Sequence, residues 1–387
     1  MDFEYPADVA EFRAEFGRYL ESEEMAELVR ENRASDGWGG PSAKALWRKL
    51  GGDGYFGLGW PKEYGGGGKS LLYLHAFNYE MAYRRLPVPV VTLNTVAPAL
   101  MRIGSEEQKQ AYLRKILLGE IEFAIGYTEP EAGTDLASLQ TSAVRDGDEY
   151  VINGQKVFTS GAHHADYVWL AVRTDPDAPK HKGISILIVP LDAEGIEVRP
   201  LQIMGGGRSN ITFYNDVRVP VSSLVGEENR GWQYITTQLD FERIAISPVA
   251  QLERVFDWLC ARFGESGLPA NAVWTRSELA RMAADLNVLK VMDLKVASMV
   301  ANGEIPVYEA SLLKVLSNEF RVTFMGEVLQ MLGSAGLIRS DSPGAPLDSS
   351  GASIEHQLIE SPITLFGGGS NDVQRDIIAT HGLGLPR

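Results

Sequence analysis

The spacing of apolar residues changes twice along this 387-residue chain, and that change constrains the fold more than any other feature. In the first part, apolar residues recur every three or four positions, which is typical of helices with one buried face. The middle region holds short β-branched runs separated by turn residues, and long helical patterns then return. The sequence therefore predicts an α+β fold with an N-terminal helical domain at 1–120, a middle antiparallel β domain at 121–225 and a C-terminal helical bundle at 226–387.

Local signals in the first region mark where its helices begin and end. In segment 104–120, Ser105 can cap a helix, Gln108 completes a capping box and Gly119 can end the helix. An earlier helix is predicted from a single apolar stripe with spacings of three and four residues. The members of that stripe are Val9, Phe12, Phe16 and Leu20.

Turn signals divide the middle region into strands. Asn153-Gly154 lies between two strand-like runs and predicts a tight hairpin, and Asp146-Gly147 marks another turn just before it. The runs that follow are short and β-branched, and turn residues separate them, which favours a compact domain of about 100 residues. Their sequences are VWLAVRTD, KGISILIVPL, GIEVRPLQI and NITFYNDVRVP.

Composition excludes several classes of function. The net charge of −15 is the wrong sign for neutralising a phosphate backbone, so nucleic acid and anionic membrane surfaces are not expected partners. The single cysteine, Cys260, precludes an internal disulfide, and its apolar neighbours predict a buried residue in a reducing compartment. No apolar run reaches the roughly 18 residues of a membrane span, and the acidic N-terminus does not resemble a signal peptide. We therefore expect a cytoplasmic protein.

Glu242 is the strongest catalytic candidate that the residue pattern provides. It shares one face of a predicted helix with apolar residues at spacings of three and four positions. A carboxylate in a buried stripe loses hydration and its pKa rises, which suits a general base near neutral pH. A buried ion pair, for instance with Arg243, explains the pattern equally well. The apolar members are Trp232, Ile235, Leu239 and Ile246.

Two polar loops are candidates for holding a cofactor. Segment 127–143 (YTEPEAGTDLASLQTSA) offers the hydroxyls of Thr128 and Thr134 around a flexible glycine, where helix gives way to sheet. Segment 365–378 (LFGGGSNDVQRDII) places three glycines before a final helix, and backbone N–H groups there suit a polarised oxygen. Taken alone, each segment is better explained as an ordinary surface loop or a helix entry.

Two other features are not interpreted as sites. YGGGGKS at 64–70 lacks the first glycine of a phosphate-binding loop, because Glu63 occupies its place. His163 and His164 are adjacent, and no cysteine or third histidine completes a metal cluster with them. We therefore expect no metal.

Five motifs in series make almost the whole chain resemble the acyl-CoA dehydrogenase family. The resemblance implies that family's three-domain fold of helices, sheet and helices, in agreement with the periodicity. It also implies a flavoprotein with FAD as its cofactor. The motifs are LGWPKEYGG (58–66), GSEEQKQAYLRKILLGE (104–120), YTEPEAGTDLASLQTSA (127–143), INGQKVFTSGAHHADY (152–167) and GGGSNDVQR (367–375).

The resemblance implies a role for each matching position near FAD. Thr128 and Thr134 match positions that hydrogen-bond the flavin or its pyrophosphate. Phe158 matches an aromatic, usually Trp, that packs on the flavin, and Ser160 matches the hydroxyl given to flavin N5. The positions that match the surroundings of the adenosine part are Ser370 and Asp372.

The resemblance also identifies the base. Many family members carry a glutamate in the C-terminal loop where this chain has Gly368, whereas enzymes for branched and long acyl chains carry it at the position of Glu242. The implied reaction is proton abstraction from the α-carbon of an acyl-CoA with hydride transfer to flavin, giving a 2-enoyl-CoA. The Gly368 N–H would hold the thioester oxygen, and Asp240 and Arg243 would flank the base on the acyl-CoA wall. Glycine at 368 also leaves room for a branched or ring-bearing acyl group.

The chain departs from the family where most members reach the FAD of a neighbouring subunit. The usual spacing around Arg262, Phe263 and Gly264 is lost, and the family's QxxGGxG segment is reduced to QMLGSAGL, with Gln330 and Gly333 as its matching positions. This resembles actinobacterial members that form α2β2 heterotetramers and shorten steroid side chains. A homo- or heterotetramer is therefore expected, with an electron-transfer flavoprotein as acceptor. The alternatives are an acyl-CoA oxidase-like flavoprotein and a non-catalytic subunit that completes a partner's site.

Overall fold

The structure is a computed structural model that describes residues 3–33, 39–204, 207–236, 247–267 and 272–386. The described residues pack as two compact units. The helical unit comprises Met1–Gly37, Lys69–Pro87 and Arg243–Arg387, and the sheet unit comprises Trp38–Gly68 and Val88–Glu242. The predicted domain boundaries at 120/121 and 225/226 stay predictions.

The elements follow the predicted order of helices, strands and helices. Besides the helical residues 231–236, the described ranges contain the helices α1 (Ala7–Leu20), α2 (Glu23–Arg33), α3 (Pro41–Gly52), α4 (Leu71–Tyr83), α5 (Ala97–Ile103), α6 (Glu106–Leu117), α7 (Val249–Ser266), α8 (Ala272–Ala301), α9 (Val307–Leu332), α10 (Ile354–Glu360) and α11 (Asn371–Ile377). The strands are β1 (Phe123–Gly126), β2 (Ser142–Asp146), β3 (Glu149–Val157), β4 (Tyr167–Arg173), β5 (Ile184–Pro190), β6 (Ile196–Gln202), β7 (Arg208–Pro220) and β8 (Leu224–Val225). Within the described ranges, no helix combines the length and apolarity needed to cross a bilayer.

The strands form one sheet in the order β6-β7-β3-β2-β4-β5-β8, with β1 beside β4. Most neighbouring strands are antiparallel, as predicted, but β1 runs parallel to β4, so the sheet is mixed. The most deeply buried strands are β4 and β5, because nearly every residue of each is inaccessible. Their apolar residues form the core with Tyr150, Ile152 and Tyr214.

The predicted hairpin at Asn153-Gly154 is wrong, because β3 continues through it. The Asn153 side chain exchanges two hydrogen bonds of 2.9 Å with Asp216, at a bulge where the β3–β7 register shifts. Gly154 is needed for a close approach, since a Cβ there would lie 2.7 Å from the Thr141 hydroxyl oxygen. The turn at Asp146-Gly147 is confirmed and connects β2 to β3.

The predicted helix signals near the N-terminus are confirmed. Ser105 accepts a hydrogen bond from the Gln108 N–H, and the Gln108 side chain accepts one from the Ser105 N–H, so the capping box is complete. The Gln108 amide also donates to two carbonyls of the sheet unit, those of Ser222 and Leu224. In the helical unit, the stripe of α1 buries Val9, Phe16 and Leu20.

The long helices of the C-terminal region pack around one apolar core, which agrees with a bundle. Arg254 on α7 is 2 % exposed and fixes the irregular segment 341–352 by bonding Asp348 at 3.0 Å. The prediction that Cys260 is buried is wrong: it lies on the exposed side of α7, one position past the fully buried Leu259. One helical position rotates the side chain by about 100°, which is enough to leave the core.

Glu122, just before β1, carries a buried carboxyl group whose two oxygens do not both receive a hydrogen bond. One of its side-chain oxygens, Oε2, has no hydrogen-bond partner, although Lys44 and Asp166 lie close enough to affect its ionisation. Burial raises the pKa of Glu122 to about 7; the Lys44 charge opposes the shift and the Asp166 charge adds to it. The folded state therefore keeps a proton that the unfolded chain releases between pH 4.5 and 7.

We expect the Glu122→Gln variant to gain stability relative to wild type at pH 8 and to lose that gain at pH 5. Raising the Glu122 pKa from 4.5 to about 7 means that its ionisation costs up to roughly 3 kcal/mol of folding free energy above pH 7. That cost disappears as the pH falls to 4.5, and glutamine never incurs it. Thermal unfolding midpoints at both pH values measure the difference.

The matched control is Glu120→Gln, an exposed carboxylate two residues earlier. Its effect on the unfolding midpoint should be small and the same at both pH values. A stability difference between Glu122→Gln and wild type that does not change with pH would contradict the costly ionisation of Glu122.

Candidate functional site

The loop after β1 is held by a buried ion pair between Lys156 and Glu129. The Lys156 ammonium, which is 0 % exposed, lies 2.7 Å from a Glu129 oxygen and donates to the Tyr127 carbonyl at 3.1 Å. The Glu129 carboxylate also accepts the backbone N–H groups of Gln140 at 2.7 Å and Thr141 at 2.8 Å. One carboxylate therefore joins both ends of segment 127–141 to β3.

The pKa shifts agree with a pair that is charged at neutral pH. Burial lowers the pKa of Lys156 to about 8, against the opposing effect of Glu129. Burial alone would raise the pKa of Glu129, but the charge and hydrogen bond of Lys156 and the donors of Thr141 and Gln140 lower it overall. Neither residue was selected from the sequence, although both lie inside quoted motifs and Lys156 interrupts an otherwise strand-like run.

The ion pair positions two of the predicted cofactor residues. The Thr128 carbonyl accepts the Val157 N–H at 2.9 Å, so Thr128 lies beside the end of β3 that leads into Phe158. Thr134 follows a tight turn in which Glu129 and Ala132 exchange two backbone hydrogen bonds of 3.1 Å. Thr134 is exposed and Thr128 is half-buried.

Phe158 has an unusual backbone and an unusual exposure. Its φ is 59°, in the left-handed region that costs a non-glycine residue on the order of 1 kcal/mol or more, and its ring is 59 % exposed. The next residue, Thr159, is held at both of its backbone groups: the Asn210 carbonyl accepts the Thr159 N–H at 3.0 Å, and the Asn210 amide donates to the Thr159 carbonyl at 3.0 Å. Asn210 is fully buried, and sequence reasoning missed it.

Ser160 lies on the same turn with an exposed side chain. Its N–H donates to the Phe158 carbonyl at 2.9 Å, and its hydroxyl lies 3.1 Å from the Ser209 hydroxyl on β7. The structure thus brings three predicted residues, Thr128, Phe158 and Ser160, to one end of β3. The loop continues through His163, whose ring is tilted by 41° against that of His164, with centroids 4.0 Å apart.

In the helical unit, the glycine-rich loop before α11 contains the other predicted positions. Gly368 has a φ of 68°, which favours glycine, and Ser370 accepts the Val373 N–H as the cap of α11. Asp372 is exposed in the first turn of α11. Lys314 on α9 donates to the carbonyls of Leu365 at 3.3 Å and Gly369 at 2.7 Å, and to the Asn371 side chain at 2.8 Å. Sequence reasoning did not identify Lys314.

The departures from the family motif lie at the ends of two helices. Arg262, Phe263 and Gly264 lie in the last turns of α7. Gln330 is exposed in the last turn of α9, and Gly333 follows it with a φ of 58°. Arg262, Gly264 and Gln330 are exposed, whereas Phe263 is half-buried and packs against the apolar core of the bundle.

The predicted base, Glu242, lies outside the described residues, and so do its neighbours Asp240 and Arg243. The start of the predicted helix is described: residues 231–236 are helical. Ile235 is fully buried and Trp232 is half-buried, as the apolar stripe predicts. Among the described residues, no group of histidine, cysteine or carboxylate side chains is arranged to hold a metal ion.

Family models of the acyl-CoA dehydrogenase domains cover nearly the whole chain. The N-terminal domain model matches residues 7–120, the middle domain model matches 124–215 and the C-terminal domain model matches 229–383. The chain therefore belongs to the acyl-CoA dehydrogenase family, and it is an oxidoreductase. The general reaction of this family is the flavin-dependent dehydrogenation of an acyl-CoA.

Individual relatives extend over the full length of the chain. Acyl-CoA dehydrogenases FadE26 and FadE29 of Mycobacterium tuberculosis are each 42 % identical to it, covering 100 % and 98 % of this chain and 99 % and 96 % of their own. Among solved structures, "Tcur3481-Tcur3483 steroid ACAD" has a TM-score of 0.93 at 46 % identity, with 100 % of both chains covered. The ChsE4-ChsE5 complex from Mycobacterium tuberculosis has a TM-score of 0.90 at 42 % identity, also with 100 % of both chains covered.

We expect Lys156→Met to destabilise the protein by about 3 to 5 kcal/mol and to prevent the loop at 127–141 from binding a cofactor. Removing one partner of a buried ion pair leaves the other charge uncompensated, which accounts for the size of the effect. Urea unfolding measures the loss of stability. The ratio of flavin to protein after purification measures whether the loop still binds the cofactor.

Lys180→Met is the control for stability, because Lys180 forms an ion pair with Asp135 in which both side chains are more than half exposed. Exposed pairs contribute roughly 0 to 1 kcal/mol, so this variant should unfold close to wild type. If the two variants unfolded at the same urea concentration, the Lys156–Glu129 pair would not hold the loop as described.

Proposed function

We propose that this protein binds FAD and converts an acyl-CoA thioester to the 2-enoyl-CoA. The observation that carries the proposal is the Phe158 ring, which is 59 % exposed on a backbone with a φ of 59°. Holding an apolar ring out of the core in a costly backbone conformation is expected where a flat ligand stacks on it. The hydroxyls of Thr128, Thr134 and Ser160, of which the last two belong to exposed residues, would fit the polar edge and pyrophosphate of such a ligand. When bound, FAD would supply the hydride acceptor.

Glu242 is the proposed base that removes the proton from the substrate α-carbon. Two observations support it: the chain has Gly368 where a loop glutamate would otherwise stand, and the first buried residue of the Glu242 stripe, Ile235, is 0 % exposed. A water-poor surrounding keeps a carboxylate basic enough to accept a weakly acidic proton. Asp240 and Arg243 are proposed to line the acyl-CoA wall beside it.

The Gly368 N–H is proposed to stabilise the charge that develops on the thioester oxygen as the proton leaves. A preorganised backbone donor in a dry site is usually a large contribution to catalysis. Because glycine adds no side chain at this position, a branched or ring-bearing acyl group has room near the reacting carbons. A structural relative named as a steroid ACAD supports a steroid side-chain acyl-CoA as the substrate.

A second chain is proposed to complete the enzyme as an α2β2 heterotetramer. The two full-length structural relatives carry paired names, Tcur3481-Tcur3483 and ChsE4-ChsE5. The altered motif of this chain, at Arg262 to Gly264 and at Gln330 and Gly333, lies at helix ends where FAD of a neighbouring subunit would be contacted. Electrons would leave to an electron-transfer flavoprotein in the cytoplasm.

We expect Glu242→Gln to keep its flavin and to lose acyl-CoA-dependent flavin reduction by a factor of about 100 or more. Glutamine has nearly the same shape as glutamate and cannot accept the α-proton, and a general base contributes about 10²–10⁴-fold. An anaerobic titration with saturated and branched acyl-CoA thioesters, followed by bleaching of the flavin, measures the reaction. Glu194→Gln, at an exposed position beyond β5, is the control and should reduce as wild type does.

Each outcome of the titration decides something. Bleaching of Glu242→Gln at the wild-type rate would exclude Glu242 as the base, and a flavin-bound wild type that no acyl-CoA bleaches would contradict the dehydrogenase reaction. If wild type purifies without flavin and regains it when a second dehydrogenase-like chain is co-expressed, the heterotetramer is supported. One FAD per chain in a homotetramer would exclude it.

A further inference from the structure

We propose that Lys314 is a positioning residue that orients the Gly368 N–H toward the substrate thioester. This inference rests on the proposed function, which gives that N–H its role. Lys314 lies on α9, outside the loop that it contacts. Its ammonium donates to the carbonyls of Leu365 at 3.3 Å and Gly369 at 2.7 Å and to the Asn371 side chain at 2.8 Å, so it binds the loop on both sides of Gly368.

The loop has few other means of holding its shape. Gly368 and Gly369 have φ values of 68° and 89°, where glycine loses more conformational freedom on ordering than other residues. Phe366, the bulky residue of the loop, is 70 % exposed and therefore contributes little packing. A segment of this kind takes its conformation from hydrogen bonds to neighbouring elements, and Lys314 makes more of these bonds to it than any other described side chain.

Two neighbouring contacts extend the same support. Asn318, one turn after Lys314 on α9, donates to the Thr364 carbonyl at 2.9 Å, and the Gln374 amide donates to the Gly368 carbonyl at 3.4 Å. The Gly368 carbonyl belongs to the peptide after the proposed donor, so the peptide that follows Gly368 is held directly. Asn318 is only 5 % exposed, which makes this face of α9 a rigid base for the loop.

The precision of this support bears directly on catalysis. A hydrogen-bond donor stabilises developing charge only if it already points at the oxygen, and a misplacement of about 1 Å can cost a factor of about 100 in rate. Without Lys314, the carbonyls of Leu365 and Gly369 would be free to turn and the N–H between them would turn with the chain. The expected result is a slower reaction with nearly unchanged binding of the CoA ester.

The test compares Lys314→Met with Lys314→Arg, using Lys295→Met on an exposed face of α8 as the control. The variants are measured as the flavin-bound protein, with the second chain present if flavin binding requires it. We expect the flavin of Lys314→Met to be reduced by the acyl-CoA about 10- to 100-fold more slowly than that of wild type, with a similar dissociation constant for the acyl-CoA. Lys314→Arg keeps a cation that can donate to the same carbonyls and should recover part of the rate. Lys295→Met should behave as wild type.

A spectroscopic measurement separates positioning from general stability. The carbonyl stretch of bound trans-2-octenoyl-CoA, isotope-labelled at the carbonyl carbon, falls in frequency when a donor polarises the thioester. We expect a clear fall in wild type, Lys295→Met and, in part, Lys314→Arg, and a band near that of free ligand in Lys314→Met.

The outcomes are distinguishable. An unchanged band and rate in Lys314→Met would overturn the positioning role while leaving the proposed function in place. Loss of flavin or of folded protein in both Lys314 variants would make Lys314 a structural residue and would also overturn the inference. No fall in the carbonyl frequency in wild type would contradict the proposed function, and the role of Lys314 would fall with it.

Discussion

The buried pair of Lys156 and Glu129 is the interaction on which the sheet unit's candidate site depends. A fully buried ammonium is costly unless an opposite charge and hydrogen-bond acceptors compensate it, and here the Glu129 carboxylate and the Tyr127 carbonyl do so. The same carboxylate satisfies two backbone N–H groups, at Gln140 and Thr141. Neither charge can be removed alone without stranding the other, so β3 and segment 127–141 keep one relative position. That relation places Thr128 beside the end of β3.

The order of helices and strands could be predicted because the spacing of apolar residues is a local signal, which requires no knowledge of distant partners. The capping box at Ser105 and Gln108 is equally local and is present as predicted. The predicted hairpin at Asn153 was wrong because the Asn153 side chain bonds Asp216, 63 residues away, at a bulge between two strands. The local turn signal contains no information about that distant partner. The prediction that Cys260 is buried was wrong because the packing partners of α7 determine which of its faces is buried. A shift of one position along the helix decides whether a side chain is exposed.

The candidate site shows the same division. Residues proposed to meet a ligand, such as Thr128, Phe158 and Ser160, are recognisable from motifs, whereas the residues that hold them in place are not. Lys156, Asn210 and Lys314 act on partners 27, 51 and 57 residues away in the chain, and a lone lysine or asparagine in a strand or helix carries no local sign of such a contact. Only the folded chain shows that both candidate loops are held by a lysine on the neighbouring strand or helix.

This arrangement bears on where the proposed base can be located. With a φ of 68°, position 368 favours glycine, and a glutamate there would carry a backbone strain on the order of 1 kcal/mol. Lys314 contacts the loop through the Leu365 and Gly369 carbonyls, so these contacts do not require a particular side chain at 368. The loop can therefore keep its backbone donor while the carboxylate is carried by another segment. A glycine at 368 together with a glutamate at 242 is thus a physically consistent pair, with one position supplying the N–H and the other the base.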